Sequence, residues 1–164
     1  MILIAHRGLY NGPDTNLENK PEQILKSLEL GYDCEIDLWS VDSKLFLGHN
    51  EPQYEISNKF IFNNVGLWIH AKNLEALQWL SETPYKYFWH ENDSFALTSN
   101  HYIWTYPDKE LTSQSIMLMP EWSNPELTNI ENSTCYGICS DYVEIIKNKF
   151  NTKFQRDIVL DLIG

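Results

Sequence analysis

Ile2-Leu3-Ile4-Ala5-His6-Arg7-Gly8 opens the chain as an apolar strand that ends in a polar corner. Aliphatic and β-branched residues favour a buried strand, and a glycine permits the sharp turn that follows it. In barrels and open α/β sheets, the carboxyl ends of the strands carry the chemistry. The stretch therefore predicts an α/β fold with a functional site around His6 and Arg7.

Further strands and helices alternate along the chain. Apolar residues at helical spacing predict a helix over 21–30, capped by Asn19, and others after residue 74 and over 143–150. Short apolar runs predict strands over 34–39, 45–47, 67–71, 85–89, 101–105, 116–119 and 135–140. Residues 9–18 and 50–64 have loop composition.

This alternation predicts a largely parallel sheet. A full eight-unit barrel takes about 250 residues, whereas this chain has 164. We therefore expect a single domain over residues 1–164, folded as a reduced or irregular (β/α) barrel of the TIM type with mostly parallel strands.

Charge and cysteine content limit the partners and the compartment. A net charge of −11 argues against binding to nucleic acid or to an anionic membrane surface. No apolar run approaches the roughly 20 residues of a membrane span, and no secretory signal precedes the first strand. The three cysteines cannot all pair and lack zinc-ligand spacing. We expect a cytoplasmic protein that binds neither nucleic acid nor membrane, and its oligomeric state stays open.

Two carboxylates share one face of the second strand. Glu35 and Asp37 are two residues apart, so both side chains point the same way. Carboxylates this close resist ionising together unless a cation lies between them. Oxygen ligands suit Mg²⁺, Ca²⁺ or Mn²⁺, so the pair predicts a divalent cation site.

Histidines and basic residues occupy the ends of the neighbouring strands. His6 can move a proton near neutral pH, and the planar guanidinium of Arg7 matches phosphate oxygens. His49 follows a turn and a returning strand that can bring it beside the carboxylates. Lys72 shares a strand face with His70 and can hold a phosphate oxygen. Because these strand ends converge in such folds, one site is expected.

The spaced motifs His6-Arg7-Gly8, Glu35-x-Asp37 and Gly48-His49-Asn50 resemble the signature of the glycerophosphodiester phosphodiesterases. The reduced-barrel relatives of that family include phosphatidylinositol-specific phospholipases C. Weaker similarities lie in the segments 17–21, 104–106 and 137–142. The resemblance implies metal-dependent hydrolysis of a small phosphodiester, with a glycerophosphodiester as the model substrate.

The resemblance also implies roles for individual residues, taken at matching positions. These roles are acid–base catalysis for His6 and His49, cation binding for Glu35 and Asp37, and substrate binding for Arg7, Lys72 and Trp104. Which histidine is the acid and which the base stays open. The implied cofactor is Mg²⁺ or Ca²⁺, with Mn²⁺ as a further possibility.

One position departs from the family pattern. His70 stands two residues before Lys72, where the family usually carries a third carboxylate ligand. A neutral imidazole can ligate a cation, but it removes a negative charge and suits Ca²⁺ less well. Glu91 and Glu121 each follow a later strand and could supply the carboxylate instead. The third metal ligand is therefore open among His70, Glu91 and Glu121.

Other functions remain open from the sequence. If a hydroxyl of the substrate attacks in place of water, the product is a cyclic phosphate and the protein is a lyase. If catalysis has been lost, the protein is a phosphate- or sugar-binding module, to which its aromatic residues are suited. In a third alternative, all five histidines are structural parts of a non-catalytic domain.

Overall fold

The computed structural model of the chain describes the backbone of residues 1–163 and the side chains of residues 1–153. It is a mixed α/β structure in which ten strands form one sheet. The strands are β1 (Ile2–Ala5), β2 (Asp33–Val41), β3 (Lys44–Leu47), β4 (Tyr54–Ile56), β5 (Leu67–Ala71), β6 (Tyr87–Phe88), β7 (Phe95–Leu97), β8 (Ile103–Thr105), β9 (Ser115–Leu118) and β10 (Gly137–Ser140). The helices are α1 (Pro21–Glu29), α2 (Asn58–Asn63), α3 (Leu74–Ser81) and α4 (Val143–Ile163), with short 3-10 turns at His6–Gly8, Pro120–Trp122 and Ile130–Asn132.

Most of the sheet is parallel, as the sequence predicts. Seven strands run in parallel in the order β6-β5-β2-β1-β10-β9-β8. β3 pairs antiparallel with the C-terminal part of β2, and β4 pairs antiparallel with β3. At the other side of the sheet, β7 pairs antiparallel with β8. The sheet curls until Ser99, just after β7, donates its N–H to the carbonyl of Tyr87 in β6 at 2.8 Å. The result is a curled half-barrel sheet.

Alternation along β2 assigns its side chains to two environments. Cys34, Ile36 and Leu38 are fully buried in the layer between the sheet and the helices α1 and α3. Glu35 and Asp37 point to the other face, into the curl, and are buried there. The predicted shared face of the two carboxylates is confirmed.

An apolar layer fills the inside of the curl beneath the carboxylates. Trp68 precedes His70 by two positions on β5, so both lie on the inner face. The Trp68 indole N–H donates to Asp33 Oδ2 at 2.8 Å. The rings of Phe88 and Trp104 stack with their centroids 4.3 Å apart. Because these apolar side chains fill the lower part of the curl, the polar side chains gather at the end where the parallel strands have their carboxyl termini.

Three local expectations differ from the structure. Residues 50–64 contain β4 and α2, and β7 was not predicted; each has at most six residues, too few to show a clear period. Asn19 does not cap α1: Lys20 occupies the cap position, and Asn19 is fully buried against Asp37.

No helix in the described part of the chain is both long and apolar enough to cross a membrane.

The side chains of β2 that face the helices should contribute measurably to the stability of the fold. Ile36 is fully buried, so Ile36→Ala leaves a cavity and should lower the free energy of unfolding by about 2–5 kcal/mol. Val65 is 91% exposed, and Val65→Ala should change it by less than about 0.5 kcal/mol. Urea unfolding measures both. Equal effects of the two substitutions would contradict the assignment of Ile36 to the core.

Candidate functional site

The carboxyl ends of the parallel strands surround a cavity of about 290 Å³. All but one of the site residues predicted from the sequence line it, and Glu121 is the exception. The predicted residues in the lining are His6, Arg7, Glu35, Asp37, His49, His70, Lys72 and Trp104. The strand order therefore brings together positions that lie up to 98 residues apart in the chain.

Asp37 is the centre of the polar network. Its Oδ1 lies 3.0 Å from His70 Nδ1 and 3.4 Å from Lys72 Nζ. Its Oδ2 lies 3.1 Å from Arg7 Nε and 3.3 Å from His49 Nδ1. Burial alone would raise the pKa of Asp37, but the hydrogen bonds from the two histidines and the charge of Arg7 hold that pKa well below its usual value. Asp37 is therefore an ionised, buried anion.

Asn19 fixes the position of Asp37 by contacting both its backbone N–H and its carboxylate. The Asp37 N–H donates to Asn19 Oδ1 at 2.9 Å, and Asn19 Nδ2 donates to Asp37 Oδ2 at the same distance. Asn19 has a left-handed backbone (φ 59°), which asparagine tolerates better than most residues. The sequence indicates this residue only as a predicted helix cap within the weakly similar segment 17–21 and gives it no role in the site.

Arg7 connects the first strand to three parts of the site. Its backbone, also left-handed (φ 51°), directs the N–H to Glu35 Oε2 at 3.1 Å. The guanidinium donates to Glu18 Oε2 at 2.8 Å and lies 3.3 Å from His49 Nε2. Its buried Nε is close enough to Asp37 for an ion pair but makes no well-aligned hydrogen bond within the described residues. This donor is therefore available to another acceptor.

A glycine places His49 beside Asp37. The Gly48 N–H donates to the Asp37 carbonyl at 3.2 Å, and the Gly48 carbonyl accepts from Trp39 Nε1 at 2.7 Å. A side chain at this position would overlap the carbonyl oxygen of Glu51. The Gly-His pair is thus a steric requirement of the turn after β3.

His6 pairs with a carboxylate that the sequence does not assign to the site. Its Nδ1 lies 2.9 Å from Asp141 Oδ1, at the end of β10. Burial would lower the pKa of His6, but the hydrogen bond that the ring donates to Asp141 and the charge of Glu35 outweigh it and raise that pKa. Asp141 lies in the segment 137–142, which resembles a motif in the last strand of the glycerophosphodiester phosphodiesterases. This similarity is the one feature of the sequence that points to Asp141.

Glu121 lies outside the cavity and contacts the residues at the end of β10. Its Oε2 accepts from Ser140 Oγ at 2.8 Å, and its Oε1 accepts from the Asp141 N–H at 3.0 Å. It does not line the cavity, so its placement does not support a role as metal ligand. Glu121 instead holds the end of β10, where Asp141 begins. Glu91 does line the cavity, at its exposed rim.

Three buried side chains could hold a metal ion together. Glu35, Asp37 and His70 each offer a ligand atom, and these atoms lie within 4.8 Å of one another. Burial first, and then the charge of Asp37, raises the pKa of Glu35. A divalent cation would remove this conflict by stabilising both carboxylates in their ionised form. The donor set therefore fits such an ion.

Aromatic side chains form the remaining wall. Trp104 lies at the base, stacked on Phe88, whereas Tyr106 and Trp122 stand at the mouth with their ring centroids 6.2 Å apart. Trp122 is 58% exposed. The sequence does not indicate it, because it lies in a short turn after β9 and outside any of the motifs.

Comparison of the chain with models of protein families, with curated proteins and with solved structures gives no match. A function is therefore inferred from the chemistry of the cavity.

The raised pKa of Glu35 predicts the effect of its removal on stability. A carboxyl whose folded pKa exceeds its unfolded value stabilises the fold least once the pH is above both values. Without metal at pH 7, Glu35→Gln should therefore raise the midpoint of urea unfolding, since the amide oxygen can still accept from the Arg7 N–H. At pH values below the unfolded pKa the difference should disappear.

This measurement is made in EDTA, with the exposed Glu110→Gln as control. The control should leave the midpoint unchanged at both pH values. A Glu35→Gln variant that is less stable than the unaltered protein at pH 7 would show that the ionised carboxylate is already compensated by its surroundings.

Proposed function

We propose that the protein is a metal-dependent phosphodiesterase that hydrolyses a small phosphodiester, such as a glycerophosphodiester, on a reduced (β/α) barrel of the TIM type. One observation carries this proposal. His6 and His49 line the same cavity, each with its Nδ1 beside a carboxylate, Asp141 and Asp37 respectively. A histidine oriented in this way keeps its Nε2 for proton transfer.

Cationic side chains could hold the phosphate between the histidines. Arg7 and Lys72 both line the cavity and both contact Asp37. Their donors can turn from this carboxylate to phosphate oxygens, which form stronger charge-assisted hydrogen bonds than water does. There they would oppose the negative charge that builds up during attack on phosphorus.

Binding of phosphate would also release one histidine. His49 Nε2 lies 3.3 Å from Arg7 Nη2, so the arginine occupies the nitrogen that catalysis needs. If Arg7 turns to the substrate, His49 Nε2 becomes free while its Nδ1 stays beside Asp37. His6 Nε2 makes no hydrogen bond within the described residues. One imidazole can then deprotonate the attacking hydroxyl while the other protonates the leaving alkoxide.

The charge balance of the cavity supports a bound cation. The lining carboxylates of Glu35, Asp37 and Glu91 outnumber the cationic side chains of Arg7 and Lys72. A divalent ion would reverse the sign and make the cavity attractive to a phosphodiester monoanion. Glu35, Asp37 and His70 would hold Mg²⁺, Ca²⁺ or Mn²⁺, which when bound polarises a phosphoryl oxygen as a Lewis acid.

The proposed substrate is a small molecule. At about 290 Å³ the cavity is of a size for one phosphodiester with compact alcohol groups. The net charge of −11 supports the proposal that neither nucleic acid nor a membrane is a partner. We place the protein in the cytoplasm, because Cys34, Cys135 and Cys139 are all free thiols, which favours a reducing compartment.

The two-histidine proposal predicts loss of turnover in either variant. Bis-p-nitrophenyl phosphate and glycerophosphocholine are assayed with Mg²⁺, Mn²⁺, Ca²⁺ or EDTA. His6→Ala and His49→Ala should each lower kcat at least about 100-fold, the usual contribution of a positioned acid or base. His101 is exposed and lies outside the cavity. His101→Asn should leave kcat unchanged.

The products and the controls separate the alternatives. A cyclic phosphate as first product would make the protein a lyase that uses a hydroxyl of the substrate. A folded protein that shows no turnover with any metal would favour the phosphate- or sugar-binding module. Turnover that survives in both histidine variants would contradict the proposed mechanism.

Asp141 should act on the reaction through His6. Since Asp141 raises the pKa of His6, Asp141→Asn should move the limb of the kcat–pH profile that reports His6 to lower pH. It should also lower kcat by at least about 10-fold, because the amide no longer stabilises the imidazolium. KM should change little. A profile that keeps its position would show that Asp141 has only a structural role.

A further inference from the structure

Resting on the proposed function, we propose that the Glu35–Asp37–His70 site is built for a divalent transition metal ion bound through the His70 imidazole, in preference to Ca²⁺ or Mg²⁺. This goes beyond the presence of a cation and concerns its chemical class. The contacts of the His70 ring, the free oxygen of Glu35 and the rigidity of the ring support it.

The first step concerns the proton on His70. Its Nε2 lies 3.4 Å from the carbonyl oxygen of His90. In this structure Nδ1 donates to the Asp37 carboxylate, and when the ring carries its hydrogen on Nε2 instead, that N–H can donate to the His90 carbonyl. Metal-binding histidines commonly donate their second N–H in this way, which fixes the tautomer that ligates. In the neutral ring, Nδ1 then carries the lone pair.

The second step concerns what faces that lone pair. His70 Nδ1 lies 3.0 Å from Asp37 Oδ1, and a metal ion bound to both atoms would take the place of the hydrogen that joins them. A separation of about 3 Å is also that of neighbouring ligands on an ion with bonds of about 2.1 Å. The contact is therefore suited to a nitrogen–oxygen chelate.

The third ligand is free to complete the set. Glu35 is only 3% exposed and lines the cavity. One of its oxygens accepts the Arg7 N–H, and its Oε1 accepts no hydrogen bond from any residue in the described range. Glu35 thus keeps one oxygen available for a cation shared with the two other ligands.

The imidazole cannot readily give way to an oxygen ligand. The His70 ring lies between Phe88 and His90, with ring centroids 5.1 Å and 4.6 Å away and interplanar angles of 5° and 16°. Its side chain is nearly buried, and β5 is paired on both sides. Nitrogen is thus a fixed member of the set. Imidazole suits Mn²⁺, Fe²⁺, Co²⁺ and Zn²⁺, whereas Ca²⁺ and Mg²⁺ take oxygen ligands.

The test measures metal binding without substrate. Protein stripped with EDTA and dialysed is titrated calorimetrically with Mn²⁺, Co²⁺, Mg²⁺ and Ca²⁺, and the Co²⁺ complex is examined by visible absorption. We expect Mn²⁺ and Co²⁺ to bind at least about 10-fold more tightly than Ca²⁺ or Mg²⁺. The Co²⁺ bands should disappear when Mn²⁺ is added in excess. Equal affinities for Mn²⁺ and Ca²⁺, or no binding of any of the four ions, would overturn the proposal.

A matched variant tests the role of His70 directly. His70→Asp replaces nitrogen by oxygen and should reduce the ratio of the Ca²⁺ to the Mn²⁺ dissociation constant at least about 10-fold. His101→Asn should leave the ratio unchanged. An unchanged ratio in His70→Asp would refute the role of the imidazole. Should that variant fail to fold, the unaltered protein still decides: at equal concentration, Mn²⁺ should raise its Tm more than Ca²⁺ does.

These outcomes are distinct from those of the proposed function. A protein that binds Mn²⁺ selectively but hydrolyses no phosphodiester retains the metal assignment and loses the enzymatic one. A protein that hydrolyses phosphodiesters equally well with Ca²⁺ bound at equal affinity retains the enzymatic assignment and loses the metal one.

Discussion

The buried carboxylate of Asp37 is the group around which the rest of the structure is arranged. Removing this charge from water costs several kcal/mol unless neighbouring groups compensate for it. Its compensating partners come from the corner after β1, from the turn after β3 and from the end of β5. Each of these partners is fixed only when its own strand is in register with β2. The ionised Asp37 therefore connects the correct pairing of the central strands to the formation of the cavity.

The same contacts explain how the charges of the cavity are compensated before an anion binds. Arg7, Lys72 and His49 all lie on Asp37, so the donors suited to a phosphate are already paired with a carboxylate. A phosphodiester and a metal ion would divide these partners between them: the cationic side chains would turn to the phosphate and the carboxylate to the metal. Neither exchange requires a strand to move. The site is in this sense preorganised by groups that compensate each other until a ligand arrives.

The sequence predicts much of this site because one rule governs it. Alternation places Glu35 and Asp37 on one face, and parallel order brings their strand end beside His6 and Lys72. Prediction from the sequence fails where the partner of a side chain lies far away in the chain and is a common polar residue. Asp141 lies 135 residues from His6, and only its position in the weakly similar segment 137–142 distinguishes it from a surface aspartate. Asn19 has the composition of a helix cap, but the demand of Asp37 for donors outweighs that local preference.

A short chain can carry such a site because the charged residues occupy adjacent strands. The strands β5, β2, β1 and β10 are contiguous in the sheet, and His70, Asp37, His6 and Asp141 lie on or directly after them in that order. Helices α1, α3 and α4 pack against this half. The strands β6 to β9 contribute mainly apolar rings to the opposite wall, and the described residues between β6 and β10 form strands and two 3-10 turns but no α-helix. On that side Leu127 and Ile130, from the segment that contains the 3-10 turns, pack with Ile138 of β10 and provide apolar cover where a helix would otherwise lie.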